Sequence, residues 1–188
     1  MADKPRTAPR RRRSRSAQSD AVPRPVPAPT KRRPQGVIVG VISDTHGLVR
    51  PEALAALSGS DLIVHAGDIG SSAVVEALAA IAPVTAIRGN NDRDAWARAL
   101  PETTAVEVDG TWLYILHDMH ELDLDPRAAG FAAVIAGHSH KPAIVERDGT
   151  LYVNPGSAGP RRFTLPVAVA RLHVRAGTVQ GEVVVLDV

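Results

Sequence analysis

From residue 37 onward, short apolar runs alternate with amphipathic segments. Val37 to Ile42 is apolar throughout, with the length and β-branched content of a strand buried on both faces. Pro51-Glu52-Ala53-Leu54-Ala55-Ala56-Leu57 opens on proline, which suits the first helical turn, and predicts a helix. A strand over 61–65, a helix over 72–81, a strand over 83–87 and a short helix near 94–99 continue the alternation. The pattern then changes to hairpins. Runs at 103–108 and 111–116 flank Asp109-Gly110, the strongest kind of two-residue hairpin signal. One helical turn is expected at 125–130 and a buried strand at 132–136. A second hairpin joins 143–147 to 150–153 through Asp148-Gly149, and a terminal pair, 167–174 and 178–186, turns at Ala176-Gly177. Strand-helix units followed by meanders predict an α/β protein with two sheets packed face to face and helices outside. No repeat of solenoid or propeller period is present.

Residues 1–35 carry a different pattern, or rather none. They are rich in Arg, Pro, Ser and Ala and offer no apolar face, which predicts a disordered basic tail ahead of a single domain at 36–188. The tail holds 11 Lys and Arg against Asp3 and Asp20, whereas the domain holds 11 against 18 acidic residues; the formal net charge of +2 therefore joins a basic tail to an acidic domain. An Arg-rich, acid-poor segment suits nucleic acid, anionic lipid or a transit function as well as a plain solvated extension. The acidic domain argues against a nucleic-acid groove of its own.

About 150 residues can bury roughly two thirds of their unfolded surface, enough for a self-sufficient core. With no cysteine, disulfides and thiolate metal sites are excluded, so any metal must be held by histidine, carboxylate or amide oxygen. No apolar run approaches the roughly 20 residues of a spanning helix, and no apolar segment follows the N-terminal charges. A cytoplasmic protein is expected, with homo-oligomerisation left open.

The candidate chemistry sits where the apolar runs end. Ser43-Asp44-Thr45-His46-Gly47, Gly67-Asp68, Gly89-Asn90-Asn91-Asp92, His117-Asp118 and Gly137-His138-Ser139-His140 each follow a predicted strand. Strand carboxyl ends are where α/β sheets build sites. Asp44 with His46, and His138 with His140, are two residues apart and can each chelate one ion. The Asp68 carboxylate has two oxygens and can bridge two ions, and Asn90 adds a neutral oxygen. Mixed nitrogen and oxygen ligands favour Mn, Fe, Zn, Ni or Co over Ca. Two ions about 3.5–4 Å apart would clamp a phosphoryl group and generate a bridging hydroxide nucleophile. Neither cysteine nor a Gly-x-Ser-x-Gly elbow offers a side-chain nucleophile instead.

These five ordered motifs resemble the calcineurin-like metallophosphoesterase superfamily, and Asn154-Pro155-Gly156-Ser157 resembles its small prokaryotic phosphodiesterase branch, a relative of the retromer scaffold subunit. The resemblance covers residues 37–188. It implies a four-layer α/β/β/α sandwich of two mixed sheets. It also implies two divalent metals per chain, with manganese foremost: one held by Asp44, His46 and His140, the other by Asn90, His117 and His138, and Asp68 between them. The implied activity is metal-dependent hydrolysis of a small phosphodiester or phosphomonoester, with catalytic roles at Asp44, His46, Asp68 and Asn91. The rival reading is a protein-interaction scaffold that retains a weakly active metal site.

Two positions depart from the family pattern. Asn91 stands where many members have a histidine that contacts phosphate; it can donate a hydrogen bond but cannot serve as a proton donor at neutral pH. Asp118 stands where glycine is usual. Around the motifs, His65 is expected either to orient a ligand or to be a core histidine, and Asp92 to hydrogen-bond a ligating histidine or the asparagine turn. His120 is expected to face solvent, while Arg161 and Arg162 are candidates to hold substrate oxygens.

Overall fold

The computed structural model describes residues 36–188; the expectations for the basic tail lie outside the described residues. Two five-stranded mixed sheets pack face to face. The first contains β1 (Val37–Ile42), β2 (Leu62–Ala66), β3 (Val84–Ile87), β9 (Ala168–Arg175) and β10 (Thr178–Val185) in the order β10-β9-β1-β2-β3. The second contains β4 (Thr104–Val108), β5 (Thr111–Ile115), β6 (Phe131–Ile135), β7 (Ala143–Arg147) and β8 (Thr150–Asn154) in the order β4-β5-β6-β8-β7. β1, β2 and β3 run parallel, as do β5, β6 and β8; the first trio is extended on the β1 side by β9 and β10, each antiparallel to its neighbour, and the second is flanked by antiparallel β4 and β7.

Three apolar clusters separate the layers. Val39, Val41, Leu113, Ile135 and Leu172 are among the residues that fill the space between the sheets. Removing most of the Ile135 side chain by substitution with Ala would cost about 2–5 kcal/mol. Ile42, Leu57, Ile63 and Leu78 join the outer face of the first sheet to α1 (Pro51–Leu57) and α2 (Ser72–Ala79). Tyr114, Leu116 and Val134 cover the outer face of the second sheet together with Met119, Leu122 and Leu124. That fourth layer is thin, a 3₁₀ turn at Met119–Glu121 and the chain that follows it.

The hydrophobic pattern located every strand and both α-helices but not the 3₁₀ turn at Met119–Glu121, and tertiary contacts trimmed the ends. β2 begins at Leu62 rather than residue 61, because Asp61 brackets the strand: its N–H donates to Ile38 O and its carboxylate accepts from Ile38 N. α2 stops at Ala79, where Ile81 and Ala82 both turn their N–H groups back to Leu78 O ahead of Pro83. The helix expected near 94–99 is a 3₁₀ turn at Ala97–Ala99, and 125–130 makes the single turn expected of it, closed by Ala129 N to Asp125 O at 3.0 Å. At Asp109-Gly110, Asp148-Gly149 and Ala176-Gly177 both residues have positive φ, the geometry that matches the twist of two-residue hairpins.

Candidate metal centre

The carboxyl ends of β1, β2, β3, β5 and β6 meet at one end of the sandwich, and each delivers candidate ligands there. Three hydrogen bonds lock the loop after β1 onto the loop after β2: Asp44 N to Gly67 O, His46 N to Asp68 O and Gly47 N to Ile69 O, at 3.0, 3.0 and 2.7 Å. Gly137 N donates to His117 O at 3.0 Å and joins the loops after β5 and β6. Close approach is why glycines precede the ligands. A Cβ on Gly67 would lie 2.6 Å from His117 Nδ1, and one on Gly137 would collide with Ser43 Oγ.

Five of the seven candidate ligands (Asp44, His46, Asp68, His138 and His140) have φ between 47° and 63°. A left-handed backbone costs an L-residue roughly 1–2 kcal/mol. Strain of this kind persists where surrounding structure enforces it, and it gathers at functional sites.

The side chains form two donor groups, Asp44-His46-His140 and Asp44-Asp68-His117, each with its ligand atoms within 4.8 Å of one another. His140 Nε2 lies 3.2 Å from Asp44 Oδ1. Asp68 Oδ2 lies 3.5 Å from His117 Nε2 and 4.0 Å from His46 Nε2, so one oxygen faces both groups. Asn90 Oδ1 and His138 Nδ1 approach to 3.2 Å on the open side. Asp44 and Asp68 are almost wholly buried, whereas the His138 side chain is 44% exposed.

Among the described residues, four buried side-chain atoms lack a hydrogen-bond partner: Asp44 Oδ1, His65 Nδ1, His117 Nε2 and His140 Nδ1. Three of them belong to candidate ligands. An unsatisfied buried polar atom costs about 1–3 kcal/mol, and a cation held by Asp44 Oδ1 and His117 Nε2 would remove that penalty at both atoms. The residues present therefore fit divalent metal.

The titration of the centre follows from burial and charge. His117 Nδ1 lies 2.8 Å from Ala66 O, so the proton on that nitrogen is held by a carbonyl and Nε2 is left to face Asp68. Burial pulls the His117 pKa down, but the Asp68 carboxylate and the Ala66 carbonyl outweigh it and raise the value to about 9. Burial pushes Asp68 up, and the His117 imidazole 3.5 Å away, with the hydrogen bonds from Asn91, more than reverses that, leaving it well below the usual carboxylate range. His46 is lowered, chiefly by burial, despite Asp68 and Asp44 nearby.

The supporting residues differ in part from expectation. His65 acts on the site through Thr45. The Thr45 hydroxyl donates to Ile69 O at 2.9 Å and so must accept from His65 Nε2–H, also at 2.9 Å, which anchors the loop between Asp44 and His46. Full burial lowers the His65 pKa to about 4. Asp92 accepts from the backbone N–H groups of Ile69, Gly70 and Gly89, bracing the Asp68 loop and the asparagine turn rather than a histidine. Asn91 is turned inward: its backbone N–H and its side-chain amide both donate to Asp68, at 2.9 and 2.6 Å. The two arginines separate. Arg161 binds Val188 O, while Arg162 brings Nη2 to 3.5 Å from His46 Nε2. His120 is exposed, as expected, and pairs with Asp118.

Sequence reasoning passed over three supports. Ser43 Oγ donates to Asp44 Oδ2 at 2.7 Å, and Ser157 Oγ donates to Asp44 O at 2.9 Å. Asn154 Nδ2 donates to Gly137 O at 2.6 Å and steadies the His138–His140 loop. Their signal was present in the motifs, as the residue before Asp44 and the ends of Asn154-Pro155-Gly156-Ser157, but a hydroxyl or amide beside a turn has many local uses.

A two-sheet sandwich with histidines and carboxylates gathered at the strand ends is the architecture of the metallophosphoesterases. The chain belongs to the calcineurin-like phosphoesterase superfamily, whose domain model matches residues 37–177. A probable metallophosphoesterase of Methanothermobacter thermautotrophicus is 34% identical over 149 residues, covering 72% of this chain and 86% of the relative. Among solved structures, an archaeal phosphodiesterase superposes with TM-score 0.65 at 23% identity, covering 78% of this chain and 99% of its own. Vps29 of Entamoeba histolytica, solved with Zn²⁺, superposes with TM-score 0.60 at 22% identity, covering 80% and 99%.

Proposed function

We propose that the protein is a two-metal phosphoesterase acting on phosphodiesters in preference to monoesters. The observation that carries this reading is the pair of donor groups sharing Asp44, with Asp68 Oδ2 facing both and buried ligand atoms left without partners. Asp44, His46 and His140 would hold one ion; Asn90, His117 and His138 the second; Asp68 would serve both. Bound there, two divalent cations supply Lewis acidity and an activated water at neutral pH.

The protein's own groups do the rest. Ser43 and the His138 N–H fix Asp44 Oδ2, so that Oδ1 is the free ligand oxygen. Ala66 O holds the Nδ1 proton of His117 and turns Nε2 inward. Arg162, beside His46, would bind a phosphoryl oxygen and orient the ester. The preference for diesters rests on Arg162 being the one guanidinium among the described residues that meets a ligand side chain: Arg161 is tied to the C-terminal residue and Arg88 to Leu100 O and Glu102, and one cationic arm suits a monoanion better than a dianion.

The decisive experiment is metal analysis with turnover of an aryl phosphodiester and an aryl phosphomonoester, for wild type and Asp68→Ala. Two ions per chain and diester turnover lost in the variant are expected. Stoichiometric metal with no turnover of either ester would instead favour the scaffold reading. One observation supports that alternative: the Asn91 amide is engaged by Asp68, so it is not a free donor for a leaving group.

A further inference from the structure

We infer that Asp118 is a positioning residue for the metal centre, accepting the Nε2 proton of His138 so that Nδ1 is presented as the ligand atom. This rests on the reading of His138 as a metal ligand. His138 lies between two oxygens. Its Nδ1 faces Asn90 Oδ1 at 3.2 Å, and its Nε2 faces Asp118 Oδ2 at 3.6 Å, an ion-pair separation slightly longer than a hydrogen bond. A carboxylate can only accept. The tautomer protonated at Nε2 is therefore the one Asp118 stabilises, and it leaves the Nδ1 lone pair on the side of Asn90 Oδ1. A proton on Nδ1 makes that approach a hydrogen bond in the metal-free protein; with the proton moved to Nε2 the two acceptors would be held together by a cation, and they belong to the proposed ligand set of one ion.

The two oxygens of Asp118 divide the work. Oδ1 accepts from the His120 backbone N–H at 3.0 Å and lies 2.9 Å from His120 Nδ1, which caps the 3₁₀ turn and fixes the carboxylate. Oδ2 is thereby aimed across the cleft. The topology accounts for the meeting: β5 and β6 are parallel neighbours, so the residues that follow them lie side by side. His117-Asp118 thus contributes one ligand and orients another that arrives on a different strand. A carboxylate behind a ligating imidazole fixes the ring and raises its basicity, and its loss costs about 10- to 100-fold in metal affinity.

The test is titration of the metal-stripped full-length protein with Mn²⁺ against a competing chelator, for wild type, Asp118→Asn, Asp118→Glu and Asp123→Asn. Asparagine keeps an oxygen for the His120 N–H but loses the charge, so the metal-free variant should melt where wild type does. Wild type is expected to bind two ions. Asp118→Asn should bind one of them about 10- to 100-fold more weakly and the other unchanged, and Asp118→Glu should recover part of the loss. Asp123 lines the same cleft and its substitution removes the same charge without touching His138, so Asp123→Asn should match wild type. Equal affinities in wild type and Asp118→Asn, or an equal loss in Asp123→Asn, would overturn the assignment while leaving the two-metal reading intact. Wild type holding fewer than two ions would overturn both.

Discussion

The two ends of the sandwich solve the same backbone problem in opposite ways. At the hairpin end, Asp109, Asp148 and Ala176 enter left-handed geometry and each is followed by a glycine that shares it. The ends of two hairpins brace each other there, Ala176 N to Asp109 Oδ2 and Gly177 N to Thr111 Oγ1. At the ligand end, Asp44, His46, Asp68, His138 and His140 take the same region with long-range hydrogen bonds and buried neighbours to hold them. A local sequence rule governs the first end. At the second, the fold enforces conformations that these residues would not choose, in order to bring oxygen and nitrogen lone pairs together. If that contrast is correct, changes at the ligand end should exchange stability for activity, and changes at the hairpin end should alter stability alone.

The sharpest break is Asp68→Asn. It should lower metal-dependent turnover by more than about a hundredfold, exceeding the loss from any single terminal ligand, since Asp68 Oδ2 lies within reach of a histidine of each proposed ion, His46 and His117. Near-normal turnover in that variant would refute the bridging role.

Next in size is the pH dependence of metal binding. His117 is raised to about 9 by Asp68 in the metal-free protein, so at pH 7 a proton occupies the position a cation needs. Affinity should rise roughly tenfold per pH unit from 7 toward 9, with proton release on loading measurable by calorimetry in buffers of different ionisation enthalpy. A pH-independent affinity across that window would contradict it.

His65 titrates with the opposite sense. Its folded pKa of about 4 lies below the ordinary value of 6.5, so the folded state binds fewer protons and stability is lost as pH falls from 6.5 toward 4. The loss between pH 7 and 5 should be about 2 kcal/mol relative to His65→Gln, which keeps a donor for Thr45 without the titration. The comparison with the variant is needed because His117, with its raised pKa, contributes stability that is full below 6.5 and lost only as pH rises toward 9. Parallel denaturation curves for the two proteins at both pH values would remove His65 from the account.

The two smallest effects contrast the ends directly. His138→Gly relieves a left-handed backbone at a half-exposed side chain, and the metal-free protein should gain up to about 1 kcal/mol while activity collapses. Ala176→Gly should bring a gain of similar or smaller size with turnover unchanged, both read by chemical denaturation. Loss of stability in His138→Gly would show that its strain is not the fold's to release.

Much of this molecule is fixed by local sequence. Val37–Ile42 is a buried strand because six apolar, largely β-branched residues leave no polar face, and Asp109-Gly110 and Asp148-Gly149 turn because both positions tolerate positive φ. The candidate ligands at the strand ends were equally legible as residue types, since residue chemistry does not depend on context. The tertiary structure decided what touches what. It separated Arg162 from Arg161, directed Asp92 to three backbone N–H groups, turned Asn91 onto Asp68, and set Asp118 behind His138. The physical reason lies in range. Periodicity and φ preference belong to neighbouring residues, whereas the approach of an Asp118 oxygen to a His138 nitrogen depends on strand register, on glycines that admit close backbone contact, and on hydrogen bonds between loops far apart in the chain.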